Sequence, residues 1–473
     1  MTEDNKEPKK RYIPKRQKLC IPKSQNRNIP KELFDNYDIN FKVYSDFFSL
    51  YPQYESEYIE YYYKWLKNFD KLPRLAVLFC LVEQTFPYSG IIFIFALLIL
   101  TSMNLEEKFM RRLSAIFIGM SGLGKDIISV FPTEINGKPT ILKKFDSTTI
   151  KGLENRLQDE PDIFKHKVHV YSDLTTLQTF AKNLRNAWFN YYNKRLETDE
   201  FDDRNFFSKQ HNKELKKGII SLLATCTADY ILRLKYNSKE GLTETTFWDR
   251  LIFVNFNLNQ DQIDMSDAFT SFRQANLSTH QQEELYKPIK DILLCKNLFN
   301  VMLNNKFLPN IMKLRSCVYF SKDYIHENSE FESDTDNNEL EAAKNRYKST
   351  TAPRRSKEQI ERLIKSIALL RHSKLKNTEV TQDDVDLCKA LLPYIYIKPN
   401  KFWKVYLYLL LESNTATKQT FTESTDPFYR LSYVSTVHAL NYLEANKFIR
   451  SEEKPITHQK VYFLNEYQNP SRI

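Results

Sequence analysis

The stretch of sequence that decides the fold is Leu113-Ser-Ala-Ile-Phe-Ile-Gly119-Met-Ser-Gly122-Leu-Gly124-Lys125-Asp126. The chain has 473 residues but only 8 glycines, and three of them fall within this stretch. Because glycine adopts positive φ and lets a ligand approach the backbone closely, this concentration predicts an unusual turn. An apolar, β-branched run at residues 116–118 enters the turn, and a second apolar run follows Lys125. The stretch therefore indicates a strand, a loop and a helix.

The loop has the spacing of a phosphate-binding loop, in which Gly119 is followed by four residues and then by Gly124 and Lys125. In such a loop, backbone N–H groups and a helix N-terminus cradle the phosphates while the lysine reaches the terminal ones. One position departs from the pattern, because the Ser or Thr that usually binds Mg²⁺ is replaced by Asp126. Asp126 could hold the metal directly or through water, or it could repel the phosphates. The predicted nucleotide-binding residues are Gly119, Met120, Ser121, Gly122, Leu123, Gly124, Lys125 and Asp126.

Composition predicts a globular chain of two to four domains, at roughly 100–200 residues per domain. Hydrophobic residues make up 42% of the chain, which is enough for sizeable cores. The six cysteines form no C-x-x-C pair and no N-terminal signal peptide is visible, so we expect a reducing, cytoplasmic compartment rather than a disulfide framework or a zinc finger. The apolar run at residues 90–100 is shorter than the ~20 residues of a membrane span. We therefore expect a buried core helix there and no membrane association.

The net charge of +10 is concentrated at the N-terminus, where residues 1–30 carry +6, whereas residues 401–473 carry +2. Residues 1–30 hold too few apolar side chains to order themselves, which predicts a disordered basic arm. The arm could contact a phosphate backbone, with an affinity that falls steeply with salt, or it could serve only solubility.

Residues 31–104 are expected to form a helical N-terminal region. Aromatic residues are dense between positions 37 and 69, with charged residues among them. Such aromatics can stack on single-stranded bases, but their helical spacing favours burial in a core. Two apolar helices in residues 73–104 then lead into the first strand.

Three further strands are predicted after the loop. Residues 168–171 alternate and end at Ser172-Asp173, the run 219–226 ends at Thr227, and the run 247–256 carries Asp249-Arg250 at its start. Strands separated by helical stretches indicate an α/β protein with a parallel sheet. Asp173 stands where phosphate-loop enzymes hold Mg²⁺ and polarise the attacking water, although it could instead cap the next segment.

The C-terminal half shows three features. Residues 327–341 are acidic and predict an exposed loop, and Arg354 and Arg355 precede helices capped at Ser356 and Thr381. After residue 399, helices followed by a two-stranded ribbon predict a winged helix-turn-helix. In a DNA-binding protein the helix from Ser432 would enter the major groove.

Taken together, these pieces resemble the ATPase core of AAA+ replicative helicases, most nearly minichromosome maintenance (MCM)-like proteins and the related helicase domains of plasmid and viral replication proteins. The resemblance covers roughly residues 75–400, and a terminal winged helix is also an MCM-like feature. It is carried by residues 119–126, the capped helix after Asp146, the strand before Asp173, the Ala224-Thr-Cys-Thr227 strand, Asp249-Arg250 and the paired helices of residues 356–392. It implies an AAA+ core at 105–260, a helical lid at 261–398 and a winged helix at 399–473. These would follow the basic arm at 1–30 and the helical region at 31–104, in which the amino-terminal part of the family's architecture is not recognisable.

The resemblance also implies a role for each residue of the site. Lys125 would bind the β- and γ-phosphates, Asp126 and Asp173 would hold Mg²⁺, and Thr227 would sense the γ-phosphate. Asp173 would also take the acidic catalytic role. The structural alternative for Thr227 is a hydroxyl that satisfies a buried backbone group.

Arginines complete the implied site. Arg250 would be an arginine finger that reaches the ATP of a neighbouring subunit, and Arg354 or Arg355 would be the second sensor arginine at the lid. The alternatives are an ion pair between Arg250 and Asp249, and a solvated linker at Arg354 and Arg355.

The function implied is that of an ATPase that binds ATP and Mg²⁺, assembles into a hexamer-like ring and translocates on or unwinds DNA. It would act in the replication of a mobile element or virus, with DNA, other copies of the chain and other replication proteins as partners. Two alternatives stay open. One is an initiator or loader that uses ATP as a binding switch, and the other is a non-enzymatic DNA-binding regulator with a vestigial loop.

Overall fold

The computed structural model describes residues 41–106, 112–119, 131–145, 167–179, 188–189, 192, 196, 220–231, 245–256, 258–272, 279–322, 352–372, 374–455 and 458–465. The predicted basic arm, the residues Met120 to Asp126 of the loop, the capped helix after Asp146 and the acidic loop at 327–341 lie outside these ranges.

A five-stranded parallel sheet is the centre of the fold, and its strand order is β4-β5-β6-β1-β7. The strands of this part of the chain are β1 Ala115–Ile118, β2 Glu134–Ile135, β3 Lys138–Pro139, β4 Leu142–Phe145, β5 Lys167–Tyr171, β6 Ile220–Cys226 and β7 Ile252–Asn255. All residues of β1, β6 and β7 are buried, which explains their nearly uninterrupted apolar sequences. The predicted α/β fold with a parallel sheet is confirmed.

Helices precede the sheet: α1 Phe41–Leu50, α2 Glu55–Asn68, α3 Pro73–Glu83 and α4 Gly90–Ser102. Every residue of α4 is buried, as its apolar sequence predicts. Tyr58, Tyr62 and Trp65 of α2 are also buried, which agrees with the core interpretation of the aromatic-rich region. No helix in the described ranges is long and apolar enough to cross a membrane.

A buried carboxylate joins α2, α3 and α4. Glu83 ends α3, and its two oxygens accept four hydrogen bonds, from the hydroxyls of Tyr58 and Tyr61 at 2.9 Å and from the backbone N–H groups of Tyr88 and Gly90 at 2.7 Å. Position 90 must be glycine, because a Cβ atom there would lie 2.5 Å from the Phe79 ring and 2.8 Å from Glu83 Oε1. Glu83 thereby caps the free N–H groups at the start of the buried helix α4.

After β6, the fourth strand of the sheet in chain order, the chain continues mainly as helices. These elements are α5 Thr245–Asp249, α6 Gln260–Phe272, α7 Thr279–Leu293, β8 Val301–Met302, α8 Leu308–Ser321, α9 Ala352–Leu370, β9 Thr378–Glu379 and α10 Gln382–Leu391. One face of α9, formed by Ile360, Leu363, Ile364 and Ile367, is fully buried. Thr381 and Asp384 form the predicted capping box of α10.

Two predicted boundaries are wrong. The helix α9 starts at Ala352 rather than at Ser356, because Pro353 suits the first turn of a helix, so Arg354 and Arg355 belong to the helix instead of preceding it. The predicted strand 247–256 starts only at Ile252. Its first part is the short helix α5, which buries Phe247 and Trp248.

The C-terminal residues form a compact unit of three helices and three strands. Its elements are α11 Lys401–Leu411, β10 Thr415–Ala416, α12 Lys418–Thr422, α13 Tyr433–Ala445, β11 Ile449–Glu453 and β12 Lys460–Leu464. The strands form an antiparallel sheet of order β10-β12-β11, so the predicted two-stranded ribbon has a third strand. Ser432 caps α13, because its Oγ accepts from Ser435 N at 3.2 Å.

Candidate functional site

The carboxyl edge of the sheet brings together three of the predicted site positions. Gly119 follows β1, Ser172-Asp173 follows β5 and Thr227 follows β6, and β6 lies between β1 and β5. In open parallel sheets, ligands bind outside the carboxyl ends of the strands. The ends of β1 and β6, at Gly119 and Thr227, are therefore candidate positions for a ligand.

Gly119 is required by the packing of the sheet itself. Its N–H donates to Cys226 O at 3.1 Å, and Phe256 N donates to Ile118 O at 2.7 Å on the other side. A Cβ atom at position 119 would lie 2.9 Å from the carbonyl oxygen of Phe256. The chain thus needs glycine here for close approach, before any ligand is considered. The other predicted nucleotide-binding residues of the loop, Met120 to Asp126, lie outside the described ranges and their roles stay predictions.

Asp173 caps the segment that follows it, as the structural alternative suggests. Its Oδ1 accepts from Thr175 N at 2.9 Å, at the start of the 3-10 turn Leu174–Thr179. This bond fixes the half-buried carboxylate at the edge of the sheet. The cap and the predicted metal and catalytic roles are compatible, because a carboxylate has two oxygens and about four acceptor positions. Within the described ranges, no group of three or more ligating side chains is placed to hold a metal ion.

The backbone before Asp173 is held by a residue that the sequence did not identify. Thr225 lies in β6, and its hydroxyl donates to the carbonyl oxygen of Ser172. This bond ties the end of β5 to the central strand β6. The sequence signal for Thr225 was its repeat with Thr227. Thr225 lies two residues earlier, and alternate residues of a strand point to the same face.

Thr227 lies where β6 passes into a helical segment at residues 228–231. It is half-buried, and its carbonyl oxygen accepts from Ile231 N at 3.3 Å. Its predicted role as a phosphate sensor stays a prediction.

Arg250 lies at the amino ends of the strands, on the opposite side of the sheet from the carboxyl ends that carry Gly119. It precedes β7, which runs parallel to β1, and Ile118 is paired with Asn255 near the other end of that strand. At ~3.3 Å per residue, the four positions from Ile252 to Phe256, which lies level with Gly119, span about 13 Å, and Arg250 lies in the turn before that strand. An arginine side chain cannot cover that distance. Arg250 therefore cannot reach a phosphate bound at Gly119 of its own chain.

The turn that carries Arg250 is surrounded by charged and polar side chains of α8 and α9. The carboxylate of Asp249 lies 3.9 Å from Arg355 Nη1, and both side chains are largely buried, at 5% and 14% exposure. The carbonyl oxygen of Asp249 accepts from Lys322 Nζ and from Gln359 Nε2, each at 2.9 Å. Arg355 thus lies beside Arg250 and away from the carboxyl edge, as part of a helix rather than of a solvated linker. The side chain of Arg354 lies outside the described residues.

Sequence reasoning gave neither Lys322 nor Gln359 a role at this turn. Gln359 was expected only as the partner of Ser356 in a capping box, whereas it lies inside α9 and its side chain bonds Lys322 and Asp249. No local pattern indicates these contacts, because Asp249 is 73 positions from Lys322 and 110 from Gln359.

The C-terminal unit exposes the start of α13. Tyr433 and Val434 are 64% and 75% exposed, and Lys418 Nζ lies 5.9 Å from the centre of the Tyr433 ring. Arg450 and Glu452 of β11 are bonded to each other at 2.7 Å, and Glu453 Oε1 lies 2.8 Å from His458 Nδ1 of the following turn. Lys447, Lys454 and Lys460 are exposed on the same unit.

No protein-family model and no curated protein matches the chain.

Proposed function

We propose that the chain is a P-loop ATPase of the AAA+ type that works as an oligomeric ring and translocates on or unwinds DNA during replication of a mobile element or virus. Its cofactors would be ATP and Mg²⁺. The core would be completed by a helical lid and by a C-terminal winged helix.

The observation that carries the proposal is the position of Gly119, Asp173 and Thr227 at one edge of a parallel sheet. Adjacent strands lie ~4.8 Å apart, so the ends of β1 and β5, with β6 between them, are about 10 Å apart. A carboxylate, a Mg²⁺ ion with bonds of ~2.1 Å and a phosphate oxygen can bridge such a gap. The position thus suits a phosphate at the loop and a metal ion held from the side of Asp173.

The ring is supported by the position of Arg250. The proposal requires an arginine that stabilises the charge developing on the γ-phosphate. Arg250 lies in the turn before β7, beyond the about 13 Å that Ile252 to Phe256 span at ~3.3 Å per residue, so it could serve only the site of another subunit. Arg355, as the second sensor, would then act across the same interface.

Among the residues that the structure describes, those of the C-terminal unit support DNA binding. Its order of helix, strand, two helices and two strands is that expected of a winged helix, and the exposed start of α13 would be the part that enters the major groove. The net charge of only +2 over residues 401–473 favours placement on DNA over raw affinity.

The test is ATP binding and turnover by the full chain, with and without single-stranded DNA. The proposal predicts turnover that DNA stimulates. Binding with negligible turnover would favour the initiator that uses ATP as a switch, an outcome made plausible by Asp126 in place of the metal-binding hydroxyl. No nucleotide binding would favour the regulator. Lys125→Ala serves as the control, since it should abolish nucleotide binding while the circular dichroism spectrum is unchanged.

A further inference from the structure

A buried lysine holds the turn that carries Arg250. Lys322 is 1% exposed, and its Nζ donates to Asp249 O and to Gln359 Oε1, both at 2.9 Å. Gln359 Nε2 donates to the same carbonyl oxygen at 2.9 Å. The side chains of Lys322, just after α8, and of Gln359, on α9, thus both donate to the carbonyl oxygen of Asp249, the residue before Arg250.

Burial of an ammonium group is costly unless hydrogen bonds compensate it. The two hydrogen bonds from Lys322 Nζ supply this compensation. Asp249 is the last residue of α5, where a helix carbonyl has no partner within the helix. The C-terminal end of a helix also carries partial negative charge, which favours a cation there. Lys322 therefore fixes the end of α5, and with it the direction in which the chain continues into Arg250.

The lysine is itself held from the other side. It directly follows α8, where Ser321 O accepts from Ile397 N at 3.1 Å and Phe320 O accepts from Asn400 Nδ2 at 2.8 Å. The Phe320 ring lies 4.8 Å from that of Phe448 in the C-terminal unit. The anchor of the Arg250 turn is thus part of a rigidly packed region.

We propose that Lys322 and Gln359 are positioning residues that aim Arg250 at the nucleotide of a neighbouring subunit. This inference rests on the proposed function and deepens it. An arginine that acts across an interface must be held to within a fraction of its own length, and a misplacement of about 1 Å in such a group can cost on the order of 10²-fold in rate.

The test compares Lys322→Met with Lys313→Met, which makes the same change at a half-buried lysine on α8, the helix that Lys322 follows. Lys322→Met should lower kcat for ATP on the order of 10²-fold with KM unchanged. In an Arg250→Ala background, Lys322→Met should cause no further loss of kcat, because Lys322 acts through Arg250. Amide exchange should quicken at Arg250 and Leu251, whose N–H groups close the turn onto Phe247 O and Trp248 O. Lys313→Met should change none of these.

An unchanged kcat in Lys322→Met, or a further loss in the Arg250→Ala background, would overturn the positioning role. If Lys322→Met does not fold, Gln359→Met removes the second bond to the same carbonyl and should give the same pattern with a smaller loss. Failure of the proposed function is seen separately, in the single variant Arg250→Ala. If that variant turns over ATP like the wild type, or the wild type has no turnover, the role of Arg250 fails and the positioning role fails with it.

Discussion

The buried carboxylate of Glu83 should make the stability of the chain depend on pH. Burial raises the pKa of Glu83 to about 7 from an ordinary value of 4.5, and the four hydrogen bonds that its oxygens accept oppose that rise. The difference corresponds to about 3 kcal/mol, at roughly 1.4 kcal/mol per pKa unit.

The sign follows from the protons bound in each state. Between about pH 4.5 and pH 7 the folded chain keeps a proton on Glu83 that the unfolded chain releases. The contribution of Glu83 to the free energy of unfolding therefore falls by about 3 kcal/mol as the pH rises through this window. Since the amide introduced by Glu83→Gln cannot titrate, the difference in stability between the wild type and this variant isolates the effect.

The assay is urea unfolding of the wild type and of Glu83→Gln at pH values from 4.5 to 8. The stability of the wild type relative to the variant should decrease across the range. Glu60→Gln is the matched control, because it makes the same change at an exposed residue of α2. A difference for Glu83→Gln that is flat, or that increases with pH, would show that the hydrogen bonds from Tyr58, Tyr61, Tyr88 and Gly90 outweigh burial.

Three further predictions concern the site and the DNA contacts. Gly119→Ala should destabilise the chain by about 1–3 kcal/mol in urea unfolding, because the new Cβ would lie 2.9 Å from Phe256 O, and an unchanged midpoint would contradict the close packing. Lys125→Ala should abolish ATP binding in calorimetry while the fold survives, and unchanged affinity would refute the phosphate-loop assignment. Deleting residues 1–30, which carry +6, should flatten the slope of log affinity for duplex DNA against log salt more than deleting residues 401–473, which carry +2, at about 0.9 per phosphate neutralised; the reverse ranking would place the main electrostatic contact in the C-terminal unit.

The sheet could be predicted from sequence because its signals are local. The apolar runs that became β1, β6 and β7 are buried on both faces, and each ends at a polar or glycine residue that marks the edge of the sheet. The same local reasoning misjudged α5, where Phe247 and Trp248 look like strand residues. In the structure both side chains are buried on a helix and pack against Phe189, a contact that the local sequence does not indicate.

The environment of Arg250 could not be predicted, because it depends on contacts between distant segments. Asp249 meets Lys322 and Gln359 only after α8 and α9 have packed together. Arg355 was expected as a sensor from its place in the sequence order, and its pairing with Asp249 likewise needed the structure. The cap formed by Asp173 on Thr175 was a local alternative, and local geometry bears it out.

The central claim is that a nucleotide held at the carboxyl edge of one sheet is hydrolysed with Arg250 of a neighbouring subunit. The direct measurement is ATPase activity after mixing Arg250→Ala chains with Asp173→Ala chains, each of which should have only residual activity alone. Interfaces that pair an intact site with an intact arginine should form in the mixture and restore about a quarter of the wild-type rate, if subunits assort at random and the arginine acts in trans. No recovery, although mixed assemblies are detected by mass, would contradict the account.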